Sequence, residues 1–219
     1  MAAILFGSIG SIADTSELQR ESFNQAFERH KLDWHWDRSE YLKMLQQSGG
    51  RQRIESYAKT LGEDIDAEAV HRSKSEIFQR LLREREVLPR AGVAETIAAA
   101  KKNGTQLGFV TTTSQENVDS LLSALSDRID REAFGVVMDA SKVEQSKPAG
   151  DAYVLALKQL DEVAANCVAI EDNLSGLQAA QAAGVKCVAF PNENTAHHDF
   201  SAADLQVKTL TFDQLTAVI

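Results

Sequence analysis

Short apolar runs without strict alternation recur along this chain, spaced by stretches of helical periodicity. They read "AAILFG" (2–7), "LGFVTT" (107–112), "FGVVMD" (134–139), "CVAIED" (167–172) and "CVAF" (187–190). Runs of Val, Ile and Phe with no polar face suit strands buried on both sides, as in a parallel sheet. The intervening segments carry helix punctuation. "GVAETIAAAKKNG" ends in Lys-Lys and a Gly stop, and "SQENVDSLLSALSD" opens on a Ser cap with acids in its first turn. "SGLQAAQAAGV" is Ala-rich and closes on Gly184. Strand and helix alternate from about residue 91 onward, which predicts an α/β fold built on a Rossmann-like, doubly wound parallel sheet.

Residues 16–88 interrupt the alternation. They hold amphipathic stretches such as "ELQRESFNQAFERH" and "EIFQRLLRERE" and no convincing strand. The segment carries 13 Lys+Arg against 14 Asp+Glu, which leaves 10 against 18 for the remainder. A nearly neutral helical piece inserted after the first strand predicts a core of residues 1–15 and 89–219 under a helical cap of residues 16–88. No internal repeat or low-complexity segment is present.

The formal charge of −9 argues against nucleic acid as a main partner and gives no attraction to anionic membranes. "MAAILFGSIGSIA" is too short, too polar and too poor in basic residues for a signal peptide or membrane span. Cys167 and Cys187 lie in apolar runs with no zinc spacing, so buried reduced thiols and a cytoplasmic setting are expected.

In open α/β sheets ligands bind beyond the carboxyl ends of the strands. Four such ends are legible: "FGSIGS", "VTTTSQEN", "QSKPAGD" and "IEDNLSG". Taken singly, the threonines read equally well as an N-cap, Lys147 as a surface lysine, and Glu171–Asp172 as a solvated loop. Taken together they are specific. A hydroxyl at a helix N-terminus, an ammonium and an acid pair are the parts of a metal-assisted phosphoryl site.

In that order the residues resemble the haloacid dehalogenase (HAD) superfamily of aspartate-nucleophile phosphatases. They are most similar to its β-phosphoglucomutase-like and CbbY-type (xylulose-bisphosphate phosphatase-like) group. The resemblance runs through "ESFNQAF", "LDWHWD", "GGRQRI", "VTTTSQENVDSLL", "SKPAGDAYVLAL", "AIEDNLSGLQAAQAAGV" and "HHDFSAADL". It implies a Rossmann-like core with a helical cap between its first two strands. It places phosphoryl binding on Thr111 and the Thr112 amide, charge neutralisation on Lys147, and Mg²⁺ on Glu171, Asp172 and the carbonyl of Ile9. A sugar phosphate is the implied ligand.

The first motif departs from the family's Asp-x-Asp-Gly-Thr/Val-Leu. Here it reads Gly7-Ser8-Ile9-Gly10-Ser11-Ile12. The nucleophile position is Gly7 and the acid/base position is Ile9. Losing a nucleophile from a concerted site costs on the order of 10⁶ in rate, and losing its partner as well adds little. Strand alternation turns Ser8 away from the site, and Ser11 and Asp14 read as structural. With two carboxylates gone, Mg²⁺ binding is expected to be weak or absent. Smaller departures are Gln19 at a cap position often held by His, Gly150 after "KPA", and Asn173 after the acid pair.

Three functions stay open: a catalytically impaired protein that binds a sugar phosphate, an enzyme using another nucleophile or direct water attack, and an assembly or regulatory protein with a residual pocket. In the cap, Gly49, Arg51 and Arg53 of "SGGRQRI" read either as a helix turn with solvated charges or as a substrate-specificity loop, joined by Gln19, in which Arg51 reaches a second phosphate. Trp34 and Trp36 read as cap packing. His197 and His198 lie in a polar loop and need no metal. No protein partner can be named.

Overall fold

The computed structural model describes residues 1–45 and 49–219. In chain order the elements are β1 (Ala3–Phe6), α1 (Ile9–Ile12), α2 (Ser16–Arg29), α3 (Arg38–Lys43), α4 (Gly50–Leu61) and α5 (Ala67–Glu84). Then follow α6 (Val93–Lys102), β2 (Gln106–Val110), α7 (Gln115–Ala124), β3 (Val136–Met138) and α8 (Asp151–Leu160). The chain continues with β4 (Cys167–Glu171), α9 (Leu174–Ala182), β5 (Lys186–Ala189), β6 (Leu205–Gln206) and α10 (Phe212–Val218).

The six strands form one parallel sheet in the order β3-β2-β1-β4-β5-β6. β1 is buried along its whole length and pairs with β2 on one side and β4 on the other. The chain winds outward from β1 to β3, then returns to β4 and winds the other way. The carboxyl ends of β1 and β4 therefore flank the point where the winding reverses, which is where such sheets open a crevice. Helices cover both faces: α6, α7 and α10 pack with one hydrophobic cluster, and α8 and α9 with the other. β6 is a two-residue edge strand with no legible sequence signal, because a piece that short carries no periodicity.

The loop expected after β1 is a helical turn. Ser8 caps α1, and its hydroxyl and that of Ser11 form a reciprocal capping box. Asp14 ties the next turn by accepting from the Ser16 backbone and hydroxyl.

Helices α2–α5 enclose a cluster of their own around Phe23, Phe27, Trp34, Trp36 and Tyr41. Phe23 and Phe27 lie one helical turn apart on α2, so both rings meet Trp36, at centroid distances of 4.9 and 4.7 Å. Asn24 clamps the Trp36 backbone from both ends, donating to its carbonyl and accepting from its amide. Both cysteines are buried and unpaired.

Trp36→Ala is expected to cost about 3–5 kcal/mol by emptying the middle of this aromatic cluster. Chemical denaturation followed by circular dichroism checks it.

Candidate functional site

Three strand ends converge on one ammonium group. Lys147, in the segment leading to α8, donates from Nζ to the Gly7 carbonyl after β1, to the Val110 carbonyl of β2 (2.9 Å) and to Glu171 Oε1 of β4 (2.5 Å). Both side chains of the ion pair are almost wholly buried. Tyr153 of α8 donates its hydroxyl to the same Glu171 oxygen at 2.7 Å, and the Lys147 ammonium lies over its ring. Burial pushes the Glu171 carboxyl up from the ordinary range, with the Lys147 charge opposing and the Asp172 charge adding to the rise.

The geometry at residue 7 explains how Glu171 reaches this place. A Cβ built on Gly7 overlaps Glu171 Oε1 and the Tyr153 hydroxyl, and a Cβ on Gly176 overlaps the same carboxylate. The Glu171 carboxylate thus lies against two glycines and fills the space into which a residue-7 side chain would project. At position 9 the Ile side chain joins the hydrophobic cluster beneath the sheet, and its carbonyl accepts the helical bond from the Ala13 amide at 3.0 Å.

Asp172 has a separate set of partners. Its Oδ1 accepts from Ser8 Oγ (2.7 Å) and Asn173 Nδ2 (2.8 Å), and its Oδ2 accepts from Asn192 Nδ2 (3.3 Å). Ser8 therefore faces the site, contrary to the strand-alternation expectation. β1 ends at Phe6, so by residue 8 the period of two no longer applies. Arg90 braces this end of the sheet, donating to the carbonyls of Gly10, Phe190 and Pro191 while stacked on Phe190.

Thr111 is buried beside Val110, and its hydroxyl accepts from the Thr113 amide at 3.2 Å. Thr112 is half-buried next to it, and α7 starts behind its Ser114 cap. Thr111, Thr112, Lys147, Glu171 and Asp172 thus gather at neighbouring strand ends.

The cap residues divide differently from expectation. Arg51 is exposed and paired with Glu55 one turn along α4 (3.3 Å). Arg53 turns inward, with its guanidinium near the faces of Phe23 and Tyr41 and Nε donating to the Met44 carbonyl. Gln19 accepts from Lys74, a buried lysine of α5 that also lies over Phe23 and Phe78. Gly49 holds φ +106° before α4, a conformation that favours glycine, and a Cβ on Gly50 would meet the His71 ring. Ser48 of the same stretch lies outside the described residues.

Burial, then the nearby Arg53 charge, lowers Lys74 to about 7. Burial, then the charges of Lys74, Arg51 and Arg53, lowers His71 to about 4. Burial, opposed by the nearby Arg53 charge, raises the Tyr41 hydroxyl above its ordinary range. Sequence reasoning missed Lys74, Tyr153 and Asn192. The signal for Lys74 was present, because it shares a helical face with Val70, Ile77, Phe78 and Leu81, all buried.

Arg38 of α3 donates to Asn194 and Glu193, and Asn194 donates to Glu17 of α2. His198 is buried, and neither ring nitrogen has a partner among the described residues. Among those residues no group of three His, Cys, Asp or Glu side chains is arranged to hold a metal ion. No helix there is long and apolar enough to cross a membrane.

The haloacid dehalogenase-like hydrolase family model matches residues 4–190. Protein CbbY of Cereibacter sphaeroides is 40% identical over 205 residues, covering 92% of this chain and 89% of that protein. Among solved structures, CbbY from Rhodobacter sphaeroides in complex with phosphate superposes with a TM-score of 0.88 at 38% identity, covering 95% of each chain. A variant of that protein in complex with xylulose-1,5-bisphosphate matches with the same score at 37% identity, again covering 95% of each chain.

Two outcomes test the geometry. Gly7→Ala should destabilise by about 1–3 kcal/mol through overpacking against Glu171. Gly135→Ala, whose new methyl meets only ordinary contacts, should change stability by less than about 0.5 kcal/mol. Denaturant titration of the pair reads the difference. For Lys74, the folded value lies below the unfolded one, so between about pH 7 and the ordinary lysine range only the unfolded chain holds the extra proton. Stability relative to Lys74→Met should therefore rise with pH across that window, by at most about 1.4 kcal/mol per pH unit. Urea unfolding of both proteins between pH 7 and pH 9 measures it.

Proposed function

The chain belongs to the haloacid dehalogenase-like hydrolase family, and from that premise we propose that it binds a phosphorylated sugar without hydrolysing it through an aspartyl-phosphate. The observation that carries this reading is the filled nucleophile space. Position 7 has no side chain, and Glu171 and Tyr153 occupy the volume one would need. In the family the first aspartate attacks phosphorus and the second moves the proton. Gly7 can do neither, and the Ile9 side chain lies in a hydrophobic cluster.

The parts of a binding site are better preserved. Thr111, the Thr112 amide and the start of α7 offer donors to a phosphate at the core end. Lys147 is the cation beside them, but its three ammonium protons already serve Gly7, Val110 and Glu171. An incoming phosphate must therefore draw one of them away, which weakens its hold at this end. The cap end compensates. Lys74 and Arg53 lie together on apolar rings, and an anionic group there relieves their mutual repulsion. Gln19 and Gly49 complete the cap side of the proposed site, while Arg51, exposed and paired with Glu55, stands outside it. A ligand with negative groups at both ends suits the arrangement, and a CbbY variant has been crystallised with such a ligand, xylulose-1,5-bisphosphate. Residues 16–88 act in this reading as the cap that closes over the ligand.

One observation favours a second reading. Ser8 Oγ donates to Asp172 Oδ1 at 2.7 Å, the contact a hydroxyl nucleophile makes with its base. Hydrolysis by this route would make Ser8 essential.

The test is a panel of sugar mono- and bisphosphates, assayed for phosphate release and for binding by calorimetry with EDTA present. The expected result is negligible turnover together with bisphosphate binding that falls at least about tenfold in Lys74→Met. Turnover abolished by Ser8→Ala would establish the second reading. Neither turnover nor binding would leave an assembly or regulatory role.

A further inference from the structure

Family phosphatases use Mg²⁺, so the fit of this site to the ion can be tested on its own donors. Mg²⁺ demands near-octahedral oxygen ligation and usually takes one or two carboxylates plus waters. Residue 7 supplies no carboxylate. The Ile9 carbonyl is held by the Ala13 amide. Glu171 is neutralised by an ammonium at 2.5 Å, which would repel a neighbouring divalent cation. Asp172 is the remaining carboxylate, and both of its oxygens face hydrogen-bond donors from Ser8, Asn173 and Asn192. The residues do not fit the ion.

We infer that this acid pair takes no divalent cation because Glu171 is paired with the Lys147 ammonium and both oxygens of Asp172 already accept hydrogen bonds, and that Ser8 and Asn173 exclude the ion independently of the missing aspartates. A hydroxyl and an amide now point their positive ends at Asp172 Oδ1, where a metal would have to replace them. Each is also held in that orientation by capping a helix, Ser8 at the start of α1 and Asn173 at the start of α9. Removing them uncovers the carboxylate. Restoring carboxylates at positions 7 and 9 alone does not.

This inference concerns the acid pair alone and does not depend on which ligand the protein binds, so its test uses the metal only. Calorimetric titration with Mn²⁺ and with Mg²⁺ is run on three proteins: the unaltered chain, Gly7→Asp/Ile9→Asp, and that variant with Ser8→Ala/Asn173→Ser added. The serine at 173 keeps a helix cap. The expected result is saturable binding in the four-site variant alone, or binding there at least about tenfold tighter than in the two-site variant, the scale of effect that groups around metal ligands exert. Equal affinity in the two variants, or binding by the unaltered chain with comparable affinity, overturns the inference. Should a side chain at position 7 prevent folding, Ser8→Ala/Asn173→Ser in the unaltered background decides the matter. Its melting temperature should rise with Mn²⁺ relative to EDTA while that of the unaltered chain does not. No rise in the variant, or an equal rise in both, overturns the inference.

Discussion

The buried contact between the Lys147 ammonium and the Glu171 carboxylate organises the sheet's functional end. Removing one partner of such a pair leaves an uncompensated charge in a medium that cannot solvate it, a penalty of about 3–5 kcal/mol. The pair is therefore an obligation on everything around it. Lys147 must find two further acceptors, and it takes the carbonyls at the ends of β1 and β2. Glu171 must find room, and Gly7 and Gly176 provide it. Tyr153 supplies a neutral donor to the oxygen that faces the ammonium. The glycine at position 7 is thus one wall of the space in which the ion pair sits.

A second line of contacts runs from the acid pair into the helices above the sheet. Asn192 touches Asp172, and two residues along the same loop Asn194 is gripped by Arg38 and bonded to Glu17. Exposed pairs such as Arg38–Glu193 contribute little individually. The neutral donor Asn192 meets Asp172 in a buried bond that carries more weight. This loop thus contacts both Asp172 and the helices α2 and α3. Lys74 is buried over the rings of Phe23 and Phe78, with Arg53 nearby on Phe23 and Tyr41, and burial keeps the Lys74 ammonium short of hydration. The proposed ligand would span the distance between these two polarised ends.

Much of this is legible residue by residue. The apolar runs of β1, β2, β4 and β5 lack alternation because both sheet faces are covered by helices, and that alone predicts a parallel sheet. Thr111, Lys147, Glu171 and Asp172 stand out because each follows or precedes an element boundary where side chains converge. The paired tryptophans read correctly as packing groups. Ser8 misleads, because its orientation depends on where β1 stops, and strand ends are set by cross-strand pairing rather than by the local sequence. Arg51 looks a better inward cation than Lys74 for a similar reason. Both are basic residues on amphipathic helices, and only the packing of α4 and α5 against α2 decides which faces inward.

The sequence by itself determined the layer architecture and the absence of a carboxylate at positions 7 and 9. Hydrophobic periodicity is a local property of the chain, and Gly and Ile carry no carboxylate in any fold. Only the tertiary structure decided what surrounds those positions. Glu171 occupies the emptied space, and Asp172 is bonded by Ser8, Asn173 and Asn192, two of them far from it in sequence. A buried charge must find partners wherever folding brings them, and hydrogen bonds between residues more than 160 positions apart, as between Ser8 and Asp172, leave no periodic trace in the chain.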